Sequence, residues 1–269
     1  MPRPSPSSVR LAAALVLAGG LAWTGGAAAQ RGPGASGAIE SVRGCEVAYH
    51  VHPATPTSHD LVAILAHGYM RNGSFMTGWG EAIASSGVTA VTVDLCASDA
   101  ADGRHADNAA DLVAVRRALG AREAIYVGVS AGGLAALIAA SLDAQATRGL
   151  LLLDPVNAGG QARSAAGKVD VPVAALVAKP QMCNAWRNID PALETLRDAT
   201  TVRIGNASHC DFEWPSDRFC RIACVATNSR DEREQAQARI RRLGVAYVQA
   251  MAEGSPAGLA RWRGEIGHD

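Results

Sequence analysis

Short apolar segments alternate with amphipathic segments along most of the chain after residue 43. The apolar segments carry hydrophobic residues on both faces, which is typical of strands in a parallel sheet covered on both sides. The predicted strands are 45–51, 61–68, 88–95, 124–130, 149–155, 171–178 and 200–204. The predicted helices are 74–87, 105–120, 132–144, 231–254 and a segment around 190–198. This alternation predicts one α/β domain with a mostly parallel central sheet and helices on both faces.

The first 29 residues have the pattern of a secretory signal peptide. Arg3 and Arg10 give a positive start, an apolar stretch follows, and small residues precede a cleavage point after Ala29. A membrane anchor is the alternative, but the apolar run is shorter than the about 20 residues that a bilayer span needs. We therefore expect a secreted or periplasmic protein whose mature domain is 30–269.

Charge and cysteine content narrow the classes of function. Basic and acidic residues are equal at 25 each, and no block of like charge occurs, so no nucleic-acid partner is indicated. The number of cysteines, 6, is even, and in an exported chain this favours disulfides without fixing their pairing. Zinc binding by Cys210, Cys220 and Cys224 with His209 is a weaker alternative, because the spacing matches no common zinc finger.

The segment "GVSAGG" (128–133) falls where a strand pattern changes into a helix pattern. Glycine and serine are common turn residues, so a simple turn is one interpretation. The other is a nucleophilic Ser130 in a G-x-S-x-G turn, which is so tight that side chains at the glycine positions would collide. The backbone N–H of Ala131, at the start of the helix, would then stabilise an oxyanion. The strand before and the helix after favour the nucleophile.

A serine nucleophile needs a base, which in this arrangement follows it in the chain. Only His209 and His268 do so, and His268 is the penultimate residue. His209 follows a predicted strand, where a loop can carry it toward Ser130. The chain order therefore favours His209.

The acid that orients the base is expected between them. Asp154 ends the most apolar predicted strand, "LLLLDP", where a charge needs a specific partner. Asp190 remains an alternative, although its position before Pro191 is typical of a helix start. Three further aspartates fall in predicted helices or turns: Asp143, Asp170 and Asp198.

The loop "AHGYMRNG" after an early strand supplies a second oxyanion donor. Gly68 lets this loop approach the serine, so we expect the N–H of Tyr69, or less favourably that of Met70, to face the oxyanion. His67 precedes the serine in the chain, and we expect a structural role for it.

In this order, "LAHGYM", "GVSAGG", "LLLDPVN" and "ASHCDF" resemble the α/β-hydrolase superfamily over residues 45–215. The nearest branch is the chlorophyllase-like and bacterial polyester-hydrolase or lipase group. That resemblance implies Ser130 as nucleophile, Asp154 as acid and His209 as base. Val129 and Ala131 depart from the residues that many relatives carry beside the serine, and so does the cysteine-rich segment 210–224. These departures concern the substrate rather than the chemistry.

The expected activity is hydrolysis of carboxylic esters through an acyl-enzyme, with a small-molecule or polymeric ester as substrate. No metal or organic cofactor and no stable membrane anchor are implied, and we expect a monomer. Two alternatives remain: a catalytically silent binding protein with this fold, and an acyltransferase that uses the same three residues. Little sequence separates the predicted strands, so no large inserted lid is expected.

Overall fold

The central strands bury side chains on both faces, as their uninterrupted apolar sequence predicts. Along one strand, Ile125 and Val127 pack into one hydrophobic core, while Ala124 and Tyr126 pack into the core on the opposite face. This alternation follows from the period of two residues in a strand. The sheet is therefore the middle layer of three.

The computed structural model describes residues 36–56, 60–96 and 104–267. Its strands are β1 (Gly37–Glu40), β2 (Glu46–His52), β3 (Leu61–Ala66), β4 (Ala90–Asp94), β5 (Glu123–Val129), β6 (Thr147–Leu153), β7 (Val173–Ala178) and β8 (Ala199–Ile204). They form one sheet in the order β1-β2-β4-β3-β5-β6-β7-β8. The strands from β4 through β8 in this order are parallel, and β1 and β2 are antiparallel additions at one edge.

The helices are α1 (Thr77–Ser85), α2 (His105–Ala118), α3 (Ala131–Leu142), α4 (Ala162–Ala166), α5 (Asp190–Leu193), α6 (Arg218–Ala223), α7 (Arg230–Glu253) and α8 (Pro256–Ile266). The core on one face includes residues of α2, α3, α4 and α5, and the core on the other includes residues of α1, α7 and α8. The predicted mostly parallel sheet with helices on both faces is confirmed. Among the described helices, none is both long and apolar enough to cross a bilayer.

Several local predictions differ from the structure. Residues 37–40 lie before the first predicted strand but form β1, because pairing with β2 satisfies their backbone groups. Helix α8 was not predicted, although Ser255 caps it and Pro256 starts it. The predicted helix around 190–198 contracts to the single turn of α5. The predicted signal peptide lies outside the described residues.

Candidate active site

Ser130 lies between β5 and α3 in a strained backbone conformation. Its φ of 55° and ψ of −121° are rare for a residue with a side chain. The Ser130 N–H donates to the carbonyl of Leu153, and the Ser130 carbonyl accepts from the N–H groups of Gly133 and Val156. These bonds fix the turn from both sides, at the carboxyl ends of β5 and β6.

The glycines beside the serine are required by close backbone contacts. A Cβ atom on Gly128 would lie 2.2 Å from the carbonyl oxygen of Gly132. A Cβ atom on Gly132 would lie 2.3 Å from the carbonyl oxygen of His67, on the loop after β3. Because neither position leaves room for a side chain, this tight turn requires glycine at both positions.

His209 and Asp154 come together although 55 residues separate them. The Nδ1 atom of His209 lies 2.7 Å from Oδ2 of Asp154, and both side chains are buried. Asp154 follows β6 directly, and His209 begins a short 3-10 helix after β8. His209 and Ser130 line the same cavity. An Nδ1–H donated to the carboxylate leaves Nε2 of this histidine as its basic nitrogen.

The carboxylate of Asp154 has further donors, one of which the sequence did not suggest. The N–H of Ala178, at the end of β7, donates to Oδ1 at 2.9 Å. The amide of Asn184 lies 3.2 Å from Oδ2, and its own oxygen accepts from the N–H of Gln181 at 2.9 Å. Asn184 is fully buried, and these contacts fix its amide orientation. Nothing in the local sequence distinguishes it from a loop asparagine.

The other aspartates considered from the sequence have other partners. Asp143 accepts hydrogen bonds from Arg116 and Tyr126, and Asp190 accepts from Arg187 at 2.7 Å in the first turn of α5. The remaining two are paired on the surface: Asp170 with Arg197 and Asp198 with Arg263. His268 lies outside the described residues.

The loop after β3 approaches the serine as predicted. A Cβ atom on Gly68 would lie 3.4 Å from that of Ser130. His67 is buried, its Nε2 accepts from the N–H of Leu95 at 3.0 Å, and its Nδ1 donates to the Gly68 carbonyl at 2.9 Å. Burial lowers the pKa of His67, while its hydrogen bond to Gly68 opposes the shift. His67 thus joins the loop after β3 to the backbone just after β4.

The predicted oxyanion donors belong to α3 and to the loop after β3. Ala131 begins α3, so its N–H is among those that have no partner inside the helix. Tyr69 lines the cavity with its side chain half exposed, and Met70 follows it with a positive φ of 55°. Two candidate N–H donors therefore belong to segments that adjoin the serine.

The cavity has a volume of about 220 Å³ and is mostly apolar. Its lining residues, besides Ser130 and His209, are Gly68, Tyr69, Met70, Arg71, Cys183, Glu213, Phe219, Cys220, Ala223 and Cys224. Glu213 and Arg71 form a buried ion pair in this lining, which the sequence did not indicate. The pKa of the Glu213 carboxyl is raised above its usual value, mainly by burial. The hydrogen bonds and charge of Arg71 and the proximity of His209 partly oppose this rise.

All six cysteines are paired, in the bridges Cys45–Cys96, Cys183–Cys224 and Cys210–Cys220. Two of these bridges connect α6 to the site. Cys210 follows His209 in the chain, and Cys183 precedes Asn184. The sulfurs of Cys210, Cys220 and Cys224 cluster within 4.8 Å, but each belongs to a disulfide, so they offer no thiolate to zinc.

Known proteins resemble this chain in structure rather than in sequence. The chain matches no protein-family model, and no curated protein matches it in sequence. Est1E from Butyrivibrio proteoclasticus, solved with ferulic acid bound, is 13% identical with a TM-score of 0.57, covering 76% of this chain and 97% of its own. The esterase EaEST from Exiguobacterium antarcticum is 15% identical with a TM-score of 0.57, covering 79% and 98%.

A third solved structure, an α/β serine hydrolase homologue from Coxiella burnetii, is 13% identical with a TM-score of 0.56, covering 78% of this chain and 99% of its own. At these identities the similarity is one of fold. The chain has the α/β-hydrolase fold, as predicted from the sequence.

Proposed function

We propose that the protein is a serine hydrolase that cleaves carboxylic esters. The observation that carries the proposal is the short contact between His209 and Asp154 at the edge of a cavity that Ser130 also lines. A histidine oriented by a buried carboxylate is the arrangement that activates a serine hydroxyl.

In the proposed reaction, Oγ of Ser130 attacks the ester carbonyl while Nε2 of His209 accepts its proton. Asp154 keeps the imidazole in the required tautomer and stabilises its protonated form. The oxyanion accepts hydrogen bonds from the N–H groups of Tyr69 and Ala131. The imidazolium then protonates the leaving alcohol, which gives the acyl-enzyme. Water attacks the acyl-enzyme by the same route and releases the carboxylic acid.

We also propose that residues 1–29 are a signal peptide and that the mature protein is secreted or periplasmic. The three disulfides support this, because such bridges persist in oxidising compartments. Intact-mass measurement of protein recovered outside the cytoplasm tests it. We expect the mass of a chain that begins at Gln30, and the mass of a chain that retains residues 1–29 contradicts the proposal.

Labelling with a fluorophosphonate probe tests the nucleophile. We expect one covalent adduct per chain, located on Ser130, and hydrolysis of p-nitrophenyl esters by the wild-type protein. Ser130→Ala should keep its melting temperature and lose both labelling and hydrolysis. Ser141→Ala is the matched control, because Ser141 lies on the far end of α3. A wild-type protein that is neither labelled nor active would favour the silent binding protein.

A further inference from the structure

Arg71 and Glu213 line the cavity, and together with Asp217 they form a cluster of three charged side chains. Arg71 lies on the loop that carries the proposed oxyanion donor Tyr69, and Glu213 lies four residues after His209. The Nε and Nη2 atoms of Arg71 donate to the two oxygens of Glu213 at 2.7 and 3.0 Å. Its Nη1 and Nη2 atoms donate to the two oxygens of Asp217 at 3.1 and 3.0 Å. One guanidinium is therefore held by two carboxylates.

The guanidinium is also covered on its faces. Its central carbon lies 4.3 Å from the ring centroid of Phe75 and 5.9 Å from that of Phe219. The side chain of Arg71 is only 8% exposed. With four of its five N–H donors engaged and its side chain buried, Arg71 has little capacity to bind an incoming carboxylate.

The cluster leaves the cavity with an excess of negative charge. Because one guanidinium faces two carboxylates, Arg71, Glu213 and Asp217 together carry one net negative charge. Among the described residues that line the cavity, Arg71 is the only arginine or lysine. Asp154 adds a third carboxylate, next to His209. An anionic ligand would thus meet a partly buried, apolar cavity without an available counter-ion.

We propose that Glu213 and Asp217 determine substrate specificity by excluding esters whose acyl chain carries a negative charge. The inference rests on the proposed ester hydrolysis and narrows its substrate class to uncharged and cationic esters. A unit charge about 6 Å from one net charge, at an effective dielectric constant of about 20, is disfavoured about a hundred-fold. Glu213 and Asp217 act through their electrostatic field and by occupying the N–H donors of Arg71, without contacting the reacting atoms.

Three esters of matched length test the proposal. They are p-nitrophenyl hexanoate, the mono-p-nitrophenyl ester of adipic acid, whose chain ends in a carboxylate, and an analogue that ends in a trimethylammonium group. For the wild-type protein at low ionic strength, we expect kcat/KM to be about a hundred-fold lower for the anionic ester than for the neutral one. The cationic ester should be hydrolysed at least as well as the neutral one.

Removing the carboxylates should reverse this order. Asp217→Asn, at a side chain that is 36% exposed, leaves the buried pair of Arg71 and Glu213 intact and should reduce the discrimination at least tenfold. Asp217→Asn combined with Glu213→Gln leaves a net positive cluster and should favour the anionic ester. Glu123→Gln is the control, because Glu123 pairs with Arg148 at the opposite end of β5 and should leave the ratio unchanged.

The outcomes separate this proposal from the one on which it rests. A wild-type protein that hydrolyses none of the three esters contradicts the ester hydrolase. A protein that hydrolyses the neutral ester but shows the same ratio in the wild type and in Asp217→Asn contradicts the specificity role alone. Equal hydrolysis of all three esters by the wild type likewise contradicts the specificity role alone.

Discussion

The imidazole of His209 and the carboxylate of Asp154 meet at 2.7 Å between Nδ1 and Oδ2, from loops that follow β8 and β6. The competing acid, Asp190, is held by Arg187 in the first turn of α5. The contact therefore favours Asp154 over Asp190 as the proposed acid.

We expect Asp154→Asn to lower kcat by about four orders of magnitude while Ser130 stays in place. The amide cannot stabilise the protonated imidazole, and it favours the wrong tautomer. Asp190→Asn should keep kcat within a few-fold, because it loses only its bond to Arg187. Steady-state kinetics on p-nitrophenyl esters measures both. If Asp190→Asn is the inactive variant, the acid has been assigned to the wrong strand.

Asn184→Asp tests whether the amide behind the acid contributes to the chemistry. The substitution keeps the shape but replaces a donor to Asp154 with a second carboxylate at about the same place. Two adjacent buried carboxyl groups do not ionise together easily, so the pair should hold one proton until the pH rises, and the ionised pair favours the protonated imidazole. Both effects should move the acidic limb of the pH profile of kcat/KM to higher pH. We expect kcat to fall at least tenfold.

The matched control for this substitution is Asn188→Asp. Asn188 lies on the same loop, exposed, and exchanges hydrogen bonds with the backbone of Asn157 at 2.9 and 3.0 Å. Its variant should keep the wild-type pH profile. An acidic limb that moves equally in both variants would mean that Asn184 only supports the loop.

The disulfides should differ in what they support. Cys210→Ser with Cys220→Ser releases the residue next to His209 from α6, so we expect kcat to fall along with the melting temperature. Cys45→Ser with Cys96→Ser opens a bridge at the antiparallel edge of the sheet, and neither of its cysteines lines the cavity. That pair should lower the melting temperature by a comparable amount and leave kcat close to the wild-type value. Thermal melts and kinetics on both variants, without reductant, decide the matter; equal kcat in the two argues against the distinction.

Two helix glycines should respond to alanine in opposite directions. A Cβ atom on Gly244 of α7 would lie 2.7 Å from the buried indole of Trp79, and the overlap should cost about 1–3 kcal/mol of stability. Gly264 of α8 has no atom within 4 Å of that position, so alanine there should stabilise the helix by about 0.5–1 kcal/mol. Urea unfolding of Gly244→Ala and Gly264→Ala measures both changes. Similar effects of the two substitutions would show that the contact with Trp79 relaxes freely.

The features that could be predicted are those with a local signature. Runs that are apolar on both faces predicted the parallel strands, and glycines at fixed spacing around Ser130 predicted a turn whose close contacts the structure contains. One charge at the end of an apolar strand predicted that Asp154 has a specific partner, and the structure places His209 next to it. In each case the cause lies within a few residues of the effect.

The features that could not be predicted depend on contacts between distant segments. Asn184 is one loop asparagine among several until β6 and β7 lie side by side and bring it to Asp154. Glu213 and Arg71 are 142 positions apart, and only the folded sheet brings their loops to one cavity. The pairing of the cysteines has the same character, since an even number sets no connectivity.

Helix α6 has only six residues, and an isolated helix shorter than about 12–15 residues is marginal in water. Two covalent bonds, from Cys220 and from Cys224 just beyond its last residue, tie it to the loop of His209 and to the loop of Asn184. The part of the cavity wall that α6 forms therefore depends less on hydrogen bonding within the helix than on the two disulfides, and hence on the redox conditions of the medium. Warming should leave it in place for as long as the sulfurs stay joined, whereas a reducing medium should dismantle it even in the cold.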